Sequence, residues 1–224
     1  MTILTDVGIA QAKLAPVVNP LPIGWINTSS APSPVPSWAN IDKLTSIMIR
    51  NLQAQIGYDF SNWNYTKIGN NEEVGCYQIT AQTLEYYGLL AKRSCASYGK
   101  DAINYNFCWR STVIRKNVNS YSNYTYKISG LSDFLNNQTI QDHLSYQIIL
   151  DLYTALKTVN LITDADTADT AAGMIYVAWV LGVGETPTIK NPIGTGAWAW
   201  RYHGNGDGIR FFNAGRYAVT ILSQ

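Results

Sequence analysis

Along the 224-residue chain, apolar residues recur at helical spacing in several separated stretches. Ile41, Leu44, Met48, Leu52 and Ile56 follow an i, i+3, i+4 pattern, which predicts a helix with Ser37 as N-cap and Gly57 as its stop. A second helix is predicted from about Ile79 to Arg93. Ile140, Leu144, Ile148, Leu152 and Leu156 mark a long amphipathic helix, opened by Thr139 and closed near Asn160. The run from Ala172 to Gly184 is apolar on nearly every side, the pattern of a centrally buried helix, with Gly182 and Gly184 ending it. A last helix is expected over Asp207 to Leu222, with Ile209, Phe212, Tyr217 and Ile221 facing the core. Between Tyr98 and Gly130 the chain is dominated by Asn, Tyr, Ser and Lys and reads as irregular with short elements. Strand-like alternation is scarce and no internal repeat is present. The fold class expected is therefore mainly α.

The N-terminal part breaks this pattern. Six of the eight prolines (Pro16, Pro20, Pro22, Pro32, Pro34 and Pro36) fall within the first 36 residues. Each fixes φ and removes an amide donor, so this stretch forms neither a helix nor a central strand. Residues 1–37 read as an extended Pro-rich arm and 38–224 as one globular domain. Val17, Val18, Leu21, Ile23, Trp25 and Ile26 make the arm too apolar for a solvated linker. It is expected to lie along a surface of its own domain or of a partner.

Composition changes the picture in one direction. Charged residues make up 14% of the chain, against about 25% in an ordinary soluble domain. Lys and Arg total 16 and Asp and Glu 15, for a net charge of +1. A protein that neutralises phosphates carries a basic excess, so nucleic-acid binding is not expected. The missing polarity comes from 19 Asn and 15 Tyr, with 7 Trp beside them. Aromatic and amide groups of this kind suit sugar contacts or protein interfaces.

Other chemistries find little support. Cys76, Cys95 and Cys108 form no Cys-x-x-Cys pair and fit neither a disulfide framework nor a zinc site; folding in a reducing compartment is expected. The first residues lack the basic start and apolar run of a secretory signal, and no apolar stretch reaches the ~18 residues of a membrane span. His143 and His203 stand sixty residues apart with no metal-ligand spacing around them. Gly204 to Gly208 lacks the alternating acids of a calcium loop and reads as a tight turn. No cofactor or metal is expected.

The most informative stretch is Asp59-Phe60-Ser61-Asn62-Trp63-Asn64-Tyr65, followed ten residues on by Gly75-Cys76-Tyr77-Gln78. A loop of Asn, Trp and Tyr leading into a Gly-x-Tyr-Gln turn resembles the lysozyme-like, transglycosylase-type domains of phage tail and baseplate proteins. Ala172-Gly173 through Trp179-Val180-Leu181-Gly182-Val183-Gly184 is similar to that family's Ala-Gly…His-Leu-x-Gly-x-Gly helix, with Trp179 where His is frequent. Asp207-Gly208 through Gly215-Arg216-Tyr217 is similar to its closing segment. The resemblance runs in consistent order over about residues 40–224 and implies a lysozyme-like helical globule.

It also implies a site. Matching Asn64-Tyr65 and Gly75 to Gln78 onto the family motif puts Phe60 where the catalytic glutamate belongs, while Ser61 matches the serine after it. Glycosidic cleavage needs a carboxylic acid held protonated beside the leaving oxygen, and phenylalanine has no proton to give. The remaining candidates for that role are Asp59, one residue earlier but pointing about 100° away on a helix, and Glu72 and Glu73 just before Gly75. Trp63, Tyr65, Tyr77 and Gln78 are the expected sugar contacts. Each also reads otherwise: Tyr77 as a core aromatic, Gln78 as a helix cap, Trp63 and Tyr65 as packing for the arm.

The resemblance and the missing acid together imply a structural component of a phage tail or baseplate with a degenerate, non-catalytic lysozyme-like domain. Such a protein is assembled in the host cytoplasm and located in the virion, with other tail or baseplate proteins as partners and no membrane insertion. The alternative is an active muramidase or lytic transglycosylase acting on peptidoglycan glycan during infection. A third reading is a module that recognises glycan without cutting it.

Overall fold

The computed structural model describes residues 40–70, 73–92, 102–104, 107–109, 113–116, 125–128, 130–184, 196–203 and 206–220. Residues 1–39, and with them the expected arm, lie outside this set. The described residues are mainly helical. The elements in chain order are α1 (Ser46–Ser61), α2 (Ala81–Tyr86), β1 (Leu90–Lys92), β2 (Ala102–Asn104), β3 (Phe107–Trp109), β4 (Val113–Lys116), β5 (Thr125–Ile128), α3 (Leu131–Leu135), α4 (Gln138–Thr158), α5 (Ala168–Leu181), α6 (Gly196–His203) and α7 (Gly206–Thr220).

Two compact units divide the chain: a central unit, Ile56–Ser145, and a flanking unit formed by the described residues up to Gln55 and from Tyr146 onward. The boundaries fall inside α1 and α4.

In the flanking unit, α1 starts later than the sequence pattern suggests. Ile41 and Leu44 belong to a tight turn closed by reciprocal backbone bonds of 2.9 and 2.8 Å. Thr45 then caps the helix, its hydroxyl accepting from the Met48 amide at 3.3 Å. Ile49 and Leu52 carry the apolar stripe inward and are fully buried. The apolar run becomes α5 as expected, with every residue from Ala171 to Ala178 buried, and Gly182 ends it with a φ of 75°. α5 packs on α7 at very short range because glycines face it. A Cβ on Gly215 would stand 2.6 Å from the Ala172 carbonyl, and one on Gly173 would meet the Phe212 ring at 2.6 Å. α6, which the apolar pattern did not reveal, buries Trp200 against Phe212 with ring centroids 4.9 Å apart.

In the central unit the second predicted helix is cut to six residues. Gly88 (φ 76°) turns the chain after α2, and Leu89 and Leu90 are buried as the backbone enters β1. The Asn- and Tyr-rich stretch contains the short strands β2 to β5: β2 and the preceding β1 flank β3 in one antiparallel sheet, and β4 pairs with β5 in a second. The short elements expected between Tyr98 and Gly130 are strands. α3 and the first two turns of α4, with Phe134, Ile140 and Leu144 buried, complete the described core of this unit.

Candidate functional site

The motif residues of the central unit converge on the first turns of α4. The last turn of α1 ends in an unusual stop. The Asn62 amide donates to Tyr58 O at 2.9 Å and the Trp63 amide reaches back to Gly57 O at 3.1 Å, which holds both residues at positive φ, 54° and 58°. Asn tolerates this conformation, whereas for Trp it is an outlier that needs support from packing. Gly57 supplies it: with no Cβ there, Trp63 Cδ1 and Cys76 Sγ close in, and an added methyl would stand 3.1 and 2.8 Å from them. The Ser61 hydroxyl donates to Gly57 O at 2.9 Å and accepts from the Asn64 amide at 3.0 Å, so the motif serine fastens the loop to the helix.

Two turns follow. The first places Tyr65 inward while Asn62, Asn64, Thr66, Ile68 and Asn70 face solvent. The second is pinned by paired backbone bonds between Val74 and Ile79, both 3.0 Å, and by Gly75 N to Lys67 O at 2.8 Å. Gly75 has a φ of 79°, and a Cβ there would run into the Gln141 side chain. Glycine is required at Gly75 on both counts.

Gln141 uses that opening. Its Oε1 accepts from the Cys76 amide at 2.8 Å, and its Nε2 donates to Tyr65 O at 3.0 Å, Phe134 O at 2.9 Å and Leu135 O at 3.3 Å. One fully buried amide thus satisfies backbone groups from both turns and from the end of α3. Asp142 does the same with side chains. Its Oδ1 accepts the hydroxyl of Tyr65 at 2.8 Å and that of Tyr77 at 2.6 Å, and the two rings meet edge-on at 6.3 Å.

Burial dominates the electrostatics. It pushes the Asp142 carboxyl up to about 6, against the pull of the two tyrosine hydroxyls, which favour the ionised form. It raises Tyr65 and Tyr77 well above the usual phenol range, with the nearby Asp142 charge adding to the shift. The buried Cys76 thiol is pushed up to about 12, so it is no thiolate nucleophile at neutral pH. His143, beside Asp142 on α4, is driven down to about 4 by burial and stays neutral in the fold near pH 7.

The expected site residues fall into distinct places. Tyr65 and Tyr77 come together, but as core aromatics joined through Asp142. Trp63 is half-buried and packs against Tyr58 with ring centroids 5.1 Å apart and the planes tilted by 52°. Gln78 donates to Gly75 O at 2.8 Å and caps no helix; Thr80 caps α2. Glu73 lies with Gln78 at Gly69, where an added Cβ would meet both side chains. Asp59 and Phe60 are half-buried in the last turn of α1, and the Phe60 carbonyl accepts from Lys67 Nζ. Glu72 lies outside the described residues. Among the described residues no cluster of acids, histidines or cysteines has metal-binding geometry.

Asp142 and Gln141 were not among the residues singled out from the sequence. The signal available was a polar run, Gln141-Asp142-His143, between Ile140 and Leu144, three consecutive polar residues that cannot all lie on the solvated face of an amphipathic helix. No family model matches this chain, and neither does any curated protein or solved structure.

Proposed function

We propose that this chain is a non-catalytic structural component of a phage tail or baseplate, built on a degenerate lysozyme-like domain. The observation that carries the non-catalytic part is the use of Tyr65 and Tyr77. The hydroxyls expected to line a sugar cleft are committed to Asp142 inside the fold, beside a helix end that carries Phe60 in place of an acid. The motif serine and glutamine are likewise used to close turns. In this reading the old catalytic frame survives as a rigid support, and the turn above it becomes surface for neighbouring chains. The tail or baseplate assignment rests on the order of motifs from residue 40 to 224 and on a charge-poor surface suited to being covered. Location in the virion, assembly in the host cytoplasm and the arm of residues 1–37 as an assembly contact belong to the same proposal.

The test is turbidity loss on purified peptidoglycan. The wild-type chain is expected to cause none, and Phe60→Glu to gain activity where the groove still admits glycan. Lysis by the wild type that disappears in Asp59→Asn, or in a Glu72→Gln, Glu73→Gln double variant, would replace this reading with that of an active wall-cleaving enzyme. Removal of residues 1–36 is expected to weaken assembly or stability; an unchanged protein would remove the arm from the proposal.

A further inference from the structure

The stretch leading into α1 is fastened to the rest of the flanking unit by two adjacent side chains. Asp42, at a φ of 49°, accepts from the Tyr153 hydroxyl and, at 3.1 Å, from Lys157 Nζ. Lys43 reaches the turn that follows α4. Its Nζ donates to three backbone carbonyls there: Asp166 O at 2.5 Å, Thr163 O at 3.1 Å and Asp164 O at 3.4 Å. An ammonium has three donors and no acceptor, so the carbonyls match its protons one for one.

The turn is built to gather these oxygens. The Asp166 carboxylate accepts the Thr163 amide at 2.8 Å and the Thr163 hydroxyl at 2.9 Å, while the Asp166 amide donates to Thr163 O at 3.1 Å. Drawing the ends of the turn together in this way brings the carbonyls of residues 163, 164 and 166 within reach of one atom. Carbonyl oxygens that converge on a point replace the hydration shell of a monovalent cation. The acids nearby are met by other cations: Asp42 and Asp164 by Lys157 at 3.1 and 3.0 Å, and Asp166 by Arg201 at 3.0 Å. What Lys43 answers here is the set of carbonyls.

We propose that residues 163–166 form a monovalent-cation site that the chain fills with its own Lys43 ammonium, and that this internal ligand fastens residues 40–45, where residues 1–39 join the domain, to the end of α4. Ile41 and Leu44, on either side of Asp42 and Lys43, are buried, so a filled site keeps the junction seated on the core. This goes beyond the assembly reading and does not depend on it, because it concerns how the junction is held and not what the N-terminal residues contact.

Lys43→Ala removes the internal cation and leaves room for a free one. Amide exchange is measured on the full-length wild type and variant in ammonium chloride and, at equal ionic strength, in tetramethylammonium chloride, whose methyl groups prevent it from donating to the carbonyls. The amides of Leu44 and Asp166 close the two turns. In tetramethylammonium the variant is expected to exchange about tenfold faster than wild type at both, the effect of losing charge-assisted hydrogen bonds at a partly exposed site. Ammonium is expected to slow exchange in the variant with a saturable response, about twofold when its concentration equals the dissociation constant, and to leave the wild type unchanged. An equal ammonium effect in both proteins, or none in the variant, would overturn the proposal. Should Lys43→Ala not fold, nitrogen NMR relaxation of the Lys43 ammonium in the wild type decides instead: an order parameter above about 0.6 supports a seated cation, and one below it, in the flexible range, overturns it.

Discussion

The central and flanking units hold their buried carboxylates by opposite means, and the difference fixes how each responds to pH and to mutation. In the flanking unit acids meet cations. Asp166, almost buried, pairs with Arg201 at 3.0 Å, and Asp169 pairs with Arg216 at 2.6 Å. Burial raises both carboxyls but is outweighed. For Asp166 the Thr163 amide and hydroxyl and Arg201 win; for Asp169 it is Thr167 and Arg216, and both end below the usual range. In the central unit Asp142 accepts the hydroxyls of Tyr65 and Tyr77, and burial wins. The same residue type thus anchors by charge in one unit and by shape in the other. A carboxylate held by cations stabilises the ionised state, whereas one held by hydroxyls in a dry interior stabilises the protonated state.

The largest effect is expected where one side chain satisfies several buried groups. Gln141→Ala would strip its partner from the Cys76 amide and its amide donor from the Tyr65 and Leu135 carbonyls together, while the Phe134 carbonyl keeps the Asn137 amide at 3.1 Å. With about 1–3 kcal/mol for each buried group left unsatisfied, and some relief from water, a loss of about 4 kcal/mol is expected in urea unfolding. Gln141→Glu keeps the acceptor for Cys76 but loses every donor and adds a buried charge, so it should be no better. A loss under about 1 kcal/mol would mean that the turns are held from elsewhere, and the contrast between units would lose its central half.

Next comes the ion pair that defines the other half. Arg201→Ala leaves Asp166 charged in a nearly closed setting, and breaking a buried pair from one side costs about 3 kcal/mol. The loss should shrink as the pH falls through the lowered pKa of Asp166. A folded pKa depressed below the unfolded value contributes stability that is present above about pH 4 and vanishes as acid protonates the carboxylate. Urea midpoints for wild type and Arg201→Ala should therefore converge below about pH 4. Lys157, bridging Asp42 and Asp164 at 3.1 and 3.0 Å on the exposed surface, provides the contrast within the unit: its removal should change the midpoint little.

How much of this was legible in the sequence differs between the units for a physical reason. The flanking unit is built from local patterns. All-round apolarity identified α5, and periodicity identified α4 and, with displaced ends, α1 and α7. The start of α1 moved because Ile41 and Leu44, read from their spacing as helical, are buried from a turn; a buried residue need not be a helical one. The central unit depends on contacts between residues 65 and 77 positions apart, Tyr77 to Asp142 and Tyr65 to Asp142. No spacing rule reaches across that distance. Tyr65 and Tyr77 were singled out, and reading Tyr77 as a core aromatic was correct, but its partner was not foreseen. An Asp between Gln and His in a helix ordinarily reads as part of a solvated face. Glu73 and Gln78 were singled out as separate residues, and their meeting at Gly69 likewise needs the turn geometry that only the folded chain supplies.

A smaller effect tests whether the central unit relies on close approach. Gly57 lies in α1, where alanine alone would favour the helix by about 1 kcal/mol. The added methyl meets Cys76 Sγ at 2.8 Å and Trp63 Cδ1 at 3.1 Å, and overpacking of this kind costs about 1–3 kcal/mol. The net expectation for Gly57→Ala is a loss of about 1 kcal/mol, together with a change in Trp63 fluorescence as the indole is displaced from its outlying backbone conformation. A gain in stability would show that the Trp63 turn is loosely held and that shape does not anchor this unit.

The smallest effect separates two neighbours whose pH dependences conceal each other. Asp142 has a folded pKa raised to about 6, so the stability it contributes is fully present below its unfolded value of 3.8 and is lost as the pH rises through about 6. His143 has a folded pKa lowered to about 4, so its contribution is present above its unfolded value of 6.5 and is lost as the pH falls toward about 4. The two windows nearly coincide and the signs are opposite, which leaves the wild type almost flat between about pH 4 and pH 7. Asp142→Asn removes the member that favours acid, so this variant should lose stability on acidification through that window. His143→Gln removes the member that resists acid, so it should gain stability, by about 1 kcal/mol between about pH 7.5 and pH 5 from the Asp142 linkage alone. Urea midpoints for the two variants should therefore diverge in opposite directions from a nearly level wild-type line. Parallel lines would mean that neither residue is buried as strongly as its position in α4 implies, and that hydroxyl anchoring in the central unit carries no electrostatic cost to set against the ion pairs of the flanking unit.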